Sequence, residues 1–125
     1  MIAHFVRLYT GPSGESHFED LDAELDLIEF APSAPPLYLS SLTSAAQFGF
    51  FGAPAGWRSD WHPSSGRNLF TVISGEWEIT ASDGETRRFG SGSILLVEDT
   101  TGKGHASRVS SAEASLAVLV QLPVA

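Results

Sequence analysis

Hydrophobic and polar positions along this chain alternate in short stretches, separated by breaks rich in glycine and proline. AHFVRLY (3–9) alternates weakly and stops at Gly11-Pro12-Ser13-Gly14. ELDLIEF (24–30) alternates better and runs into Pro32, Pro35 and Pro36, which form a semi-rigid connection. SAAQFGFFGAP (44–54) is apolar, and its two strand glycines suggest a bend or a close backbone approach. Between the first two stretches, Phe18, Leu21 and Leu25 lie three and four apart and predict one helical turn over 15–23. From residue 57 the signals strengthen: RSDWH, NLFTVI, EWEITA, ETRRF, SILLV, HASRV and SLAVLVQL follow in turn. Ser74-Gly75, Ser82-Asp83-Gly84 and Gly90-Ser91-Gly92 break this run, each a turn of the kind that closes hairpins. Short strands at this spacing, with almost no helix, predict an antiparallel sandwich or barrel.

The central segment permits a sharper deduction. If Ser74-Gly75 is a two-residue loop, Val72 pairs with Trp77, Phe70 with Ile79 and Asn68 with Ala81. Side chains alternate across a strand, so one face carries Asn68, Phe70, Val72, Trp77, Ile79 and Ala81. That face is the apolar one and should line the interior. Asn68 then points inward beside His62. The opposite face holds Leu69, Thr71 and Ile73, and the last strand is apolar on both sides, with Leu116, Val118 and Val120 on one and Ala117 and Leu119 on the other. A strand apolar on both sides needs cover on both. Strand 3–9 folding back over the sheet would supply it, and so would a second copy, so a homodimer is expected.

Length sets the scale: 125 residues make one domain with a single core. The net charge of −8 argues against nucleic acid and anionic membrane surfaces, both of which need clustered Lys and Arg. Six of the fifteen acids, Glu15, Glu19, Asp20, Asp22, Glu24 and Asp26, fall in one segment that reads as a solvated face. The chain has no cysteine, which excludes disulfides, thiolate catalysis and sulfur-ligated zinc. The N-terminus has no basic run, and His4 and Arg7 interrupt its apolar residues, so it does not read as a signal peptide. No apolar stretch approaches the ~20 residues that span a bilayer, and a cytoplasmic protein is expected.

Gly56, five residues, His62, then Gly75 with Asn68 seven residues before it: this spacing, continued through Gly92, Glu98 and His105, resembles the two motifs of the cupin superfamily. The resemblance covers Gly56 to about Val109. It implies an all-β fold: a single cupin-type antiparallel β-barrel, the jelly-roll-like double-stranded β-helix, with N-terminal strands from 1–54 packing on a barrel of 55–122. In metal-binding cupins, three His and one Glu from these motifs hold a divalent ion inside the barrel. Carried over by position, only His62 and His105 survive as ligands. Ser64 stands at the second His position and Asn68 at the Glu position, and His105 arrives two residues late within EDTTGKGH. An asparagine offers a neutral amide oxygen where a carboxylate would offset the metal charge. A divalent transition metal is therefore expected to bind weakly or not at all.

His62, Asn68 and His105 become the polar groups of a candidate small-molecule site, with Trp61, Trp77 and Phe70 as its aromatic wall. His17 would add a third nitrogen if the N-terminal segment covered the barrel mouth. Glu98 or Asp99 would add a carboxylate from the loop that also carries Lys103. His4 reads as structural, and Arg87 and Arg88 as solvated. No nucleophile elbow, P-loop or dinucleotide fingerprint is present. Three function classes remain: a binding module for a small organic molecule, a metal-assisted lyase, isomerase or oxygenase using His62 and His105, and an interaction protein without chemistry.

Overall fold

The computed structural model describes residues 1–124, and among these there is no helix. Eleven strands follow one another: β1 (Ile2–Thr10), β2 (Ser16–Glu24), β3 (Asp26–Ile28), β4 (Leu37–Leu39), β5 (Gln47–Ala53), β6 (Asn68–Ser74), β7 (Trp77–Ala81), β8 (Thr86–Phe89), β9 (Ile94–Glu98), β10 (His105–Val109) and β11 (Ser115–Gln121). Six form a large sheet in the order β2-β1-β9-β6-β11-β5, and β10-β7-β8 form a small one facing it. β3 and β4 pair only with each other, as a two-stranded ribbon. Pairing is antiparallel except between β1 and β9. The core lies between the sheets. Leu8, Phe70, Val72, Leu95 and Ala117 from the large sheet meet Trp77, Ile79, Phe89 and Val109 from the small one, all buried. The segment 54–66 runs along β10 and bridges to it at Arg58–Arg108 and His62–His105.

The inward face expected for 68–81 is the buried one, since Phe70, Val72, Trp77, Ile79 and Ala81 are each 5% exposed or less. The expected pairing is not what puts it there. β6 is hydrogen-bonded to β9 and β11, and β7 to β8 and β10. Ser74-Gly75 therefore carries the chain from one sheet to the other instead of closing a hairpin, and Gly90-Ser91-Gly92 does the same between β8 and β9. Only Ser82-Asp83-Gly84 closes a hairpin among the three, between β7 and β8. Crossing a sandwich and turning a hairpin both keep the apolar face on the inside, so alternation alone cannot tell them apart. Gly75 is required at its crossing. Its φ is 77°, and a Cβ there would stand 2.7 Å from Ser115 Cα.

The helical turn expected over 15–23 is a strand. β2 pairs with β1 residue by residue from Thr10↔Ser16 to Ile2↔Glu24, and Ser16 and Phe18 point into the core. The Gly11–Gly14 turn sets this register, and nine ladder pairs outweigh three apolar residues at helical spacing. The acidic run lies along β2 and into β3, and Asp20, Asp22, Glu24 and Asp26 are exposed. It makes β2 a charged edge strand that resists pairing with other chains.

Candidate functional site

The cavity opens between the two sheets, where the bridge of 54–66 meets β10, and has a volume of about 190 Å³. β6 and β7 line it with Phe70, Asn68, Trp77 and Ile79, while β9 and β11 add Leu95, Val97 and Leu119. His62 and His105 stand side by side across the bridge. Each backbone amide donates to the other's carbonyl at 3.0 Å, and the ring centroids are 4.9 Å apart at 53°. Gly104 makes this approach possible. Its φ is 73°, and a Cβ there would lie 2.0 Å from the His62 carbonyl oxygen. Buried Ser16 donates through Oγ to the Gly104 carbonyl at 2.7 Å, fixing the same corner from β2.

Both imidazoles are oriented from behind. His62 Nδ1 donates to the Asp60 carbonyl at 2.8 Å. His105 Nδ1 lies 2.5 Å from Asp99 Oδ2, and Asp99 is fully buried with its other oxygen unpartnered. Anchoring Nδ1 in this way leaves Nε2 as the free ring nitrogen of each histidine. Asn68 uses its amide nitrogen for Ser64 Oγ and the Gly66 carbonyl, both at 3.2 Å, so its Oδ1 remains free. No Lys or Arg lines the cavity. The polar groups at the site are two imidazole nitrogens and an amide oxygen as acceptors, with the buried, unpartnered indole N–H of Trp77 as a donor in the aromatic wall.

Five of the residues expected at the site, His62, Asn68, Phe70, Trp77 and His105, do line this cavity. Trp61 does not. It is half exposed, and Trp57 takes the expected wall position, edge-on to Trp77 with centroids 5.6 Å apart. The segment 57–62 is irregular between its two isolated bridges, at Arg58 and His62, and it brings Trp57 and His62 to the cavity while leaving Trp61 outside it. His17 is engaged elsewhere, with Nδ1 2.8 Å from Asp83 Oδ2 and its ring tilted against Tyr9. Glu98 lies on the other face of β9 from Val97 and is clamped by Arg7 Nε at 2.7 Å and Arg67 Nε at 2.6 Å. Burial works to raise its carboxyl, but the two guanidinium hydrogen bonds outweigh it and hold the group below the usual carboxylate range. Arg87 is not free in solvent either: it is paired with Glu85 and Asp20. His4 pairs with Asp22 on the exposed β1–β2 ladder. The partner that sequence reasoning left unassigned is Asp99, one charge of three in a loop, whose contact with His105 depends on how that loop folds back.

The donor set does not fit a tightly held divalent metal. Among the described residues, no three His, Cys, Asp or Glu side chains gather as a metal-binding group. Two imidazoles supply the nitrogens, but Asn68 brings no carboxylate charge, and Asp99 is already occupied behind His105.

No protein-family model matches the chain, and no curated protein does. Solved structures do resemble it. The Cnp3 cupin domain of Schizosaccharomyces pombe aligns over 98% of this chain and 83% of its own length, at 18% identity and a TM-score of 0.50. A putative ethanolamine utilization protein Q from Salmonella typhimurium LT2 aligns over 100% and 99%, at 14% identity and 0.44. An RmlC-like cupin protein from Desulfovibrio desulfuricans aligns over 63% and 76%, at 18% identity and 0.44. At such identities the likeness is one of fold: this chain has the cupin fold.

Proposed function

We propose that this protein binds a small organic molecule in the cavity between its sheets. His62, Asn68 and His105 make the polar contacts, and Phe70, Trp77 and Trp57 the apolar ones. The observation that carries the reading is the pair of anchored imidazoles. Each has Nδ1 committed to a backbone carbonyl or a buried carboxylate, which leaves Nε2 free to accept a hydrogen bond. With acceptors in the wall and no cationic side chain, the complementary ligand is uncharged and carries O–H or N–H donors on an apolar body. The volume of about 190 Å³ lies below the ~300–1,000 Å³ of sites for drug-sized ligands, so the molecule is small. A metal-dependent enzyme is the weaker reading because Ser64 and Asn68 stand where the motif has an imidazole and a carboxylate. A cytoplasmic setting belongs to the proposal, since a chain without cysteine has no disulfides to gain from an oxidising compartment. No helix among the described residues is long and apolar enough to cross a membrane.

A panel of small alcohols, amides, amines and carboxylates, followed through the His ring and Trp indole resonances, tests the reading. Neutral donor-bearing members should shift the signals of His62, His105 and Trp77, and the double change His62→Ala with His105→Ala should abolish the shifts. A panel that leaves these resonances still, or shifts that survive the double change, overturns it.

A further inference from the structure

A second cavity lies on the other side of the large sheet from the histidines. After β4 the chain crosses the outer face as a strap, Ser40 to Ala45, and then enters β5. The strap is pinned at its far end, where the Ala46 amide donates to the Gln121 carbonyl of β11 at 2.8 Å. Its side chains are small, from Ser40, Ser41, Thr43, Ser44 and Ala45, and its one bulky residue, Leu42, is 74% exposed. A strap of this kind cannot fill the space above a sheet. Phe5, Leu69, Leu96, Val120 and Leu122 beneath it stay only half-buried. The cavity between strap and sheet has a volume of about 410 Å³, against about 190 Å³ for the histidine site.

The charge at this cavity has one sign. Arg67 and His4 line it, and no Asp or Glu does. His4 is paired with Asp22. Arg67 donates through Nε to Glu98 at 2.6 Å, and its two Nη groups reach no acceptor among the described residues. Arg7 takes the other oxygen of Glu98 at 2.7 Å and lies 4.0 Å from Glu19, so the guanidinium with donors to spare is that of Arg67. Glu98 thus fixes the Arg67 plane from the side. The end-on Nη fork, which matches a carboxylate through two parallel hydrogen bonds, stays free.

We infer that the cavity under the strap binds a medium-chain carboxylate. Its head group takes the Nη fork of Arg67, and its hydrocarbon chain lies between the strap and Leu69, Leu96 and Val120. The volume falls within the ~300–1,000 Å³ of sites for small organic ligands. A purely apolar molecule would cover the Nη groups without giving them an acceptor, which is costly. A cationic head group would meet Arg67 with no acid beside it. The inference does not rest on the histidine cavity, which has no cationic side chain and lies on the opposite face of the sheet.

Octanoate titrated into the full chain should shift the methyl resonances of Leu69, Leu96 and Val120 and leave the His62 and His105 ring resonances still. From hexanoate to decanoate, each added methylene should tighten binding roughly three- to fourfold. Octylamine should bind more weakly than octanoate by roughly tenfold or more. Arg67→Met with Glu98→Gln removes the fork and its counter-charge together, and should bring octanoate down to the affinity of octanol. If that variant fails to fold, the comparison of octanoate with octylamine on the unmodified protein decides. Octylamine binding as tightly as octanoate, shifts at the histidines in place of the three methyl residues, or no shift with millimolar decanoate overturns the inference.

Discussion

The two faces of the six-stranded sheet are built from the same strands and end differently. On the inner face, Phe70, Val72, Leu95 and Ala117 are closed over by the three-stranded sheet, and burial there is nearly complete. On the outer face, Ile73, Leu116, Phe48 and Phe50 are as apolar and remain exposed. Hydrophobicity is therefore not what separates them. The inner face has a second sheet at hand, supplied by β7, β8 and β10, whereas the outer face has only the strap at 40–45 over part of its width. A strand apolar on both sides marks a surface that awaits cover, without saying whose.

The most damaging test of this contrast changes adjacent residues on β6. Val72→Asp places an unpaired charge at a position 1% exposed and should cost several kcal/mol, on the order of the whole stability of a domain this size. Ile73→Asp, at 45% exposed, should change the melting of dilute protein by within about 0.5 kcal/mol. Equal melting shifts for the two would mean that the faces are not distinct.

Next in size is the inner-face corner that holds the histidines. Gly104→Ala adds about 1–2 kcal/mol of left-handed strain, and its Cβ would collide with the His62–Pro63 backbone. It should lower the melting temperature and separate the His62 and His105 ring resonances from their mutual contact. Gly66→Ala, with open space around it, should do neither.

A third change tests the polarity of the cavity. Asn68→Glu adds a carboxylate to two oriented imidazoles and should tighten binding of Mn²⁺, Ni²⁺ or Zn²⁺ by roughly tenfold or more, about 1.4 kcal/mol, in calorimetry. Tight binding to the unmodified protein that His62→Ala leaves unchanged would remove these residues from the site.

The smallest effect belongs to the outer face. Glu98, held by Arg7 and Arg67, has its carboxyl below the ordinary value of 4.5 in the folded state. A depressed carboxyl contributes stability that is present above its unfolded pKa and is lost as pH falls through its folded pKa. Glu98→Gln should therefore be less stable than the parent near neutral pH, and the gap should narrow on acidification below 4.5. A gap that stays constant across this range would show that the clamp has no electrostatic content.

Much of the site was legible because it depends on spacing along one strand. Asn68, Phe70 and Trp77 follow from alternation, and His62 and His105 from their places in the cupin-like motifs. Trp61 was misplaced because 57–62 is an irregular segment held only by bridges at Arg58 and His62, and no periodicity says which of its side chains reach the cavity. Asp99 depended on a loop folding back on His105, and no periodicity encodes that contact.

What the sequence determined by itself is local: where most of the strands from Asn68 onward lie, which side of each is apolar, and that Asn68 cannot bring a carboxylate's charge to a metal. Only the tertiary structure decided which strands pair. It sent β6 and β7 into different sheets, made 16–24 a strand, set Asp99 behind His105 and left one apolar face uncovered. The reason is physical. Side-chain alternation is fixed by backbone geometry within a few residues, whereas the partner of a strand is chosen among distant segments by the burial each arrangement achieves, and several arrangements share the same alternation.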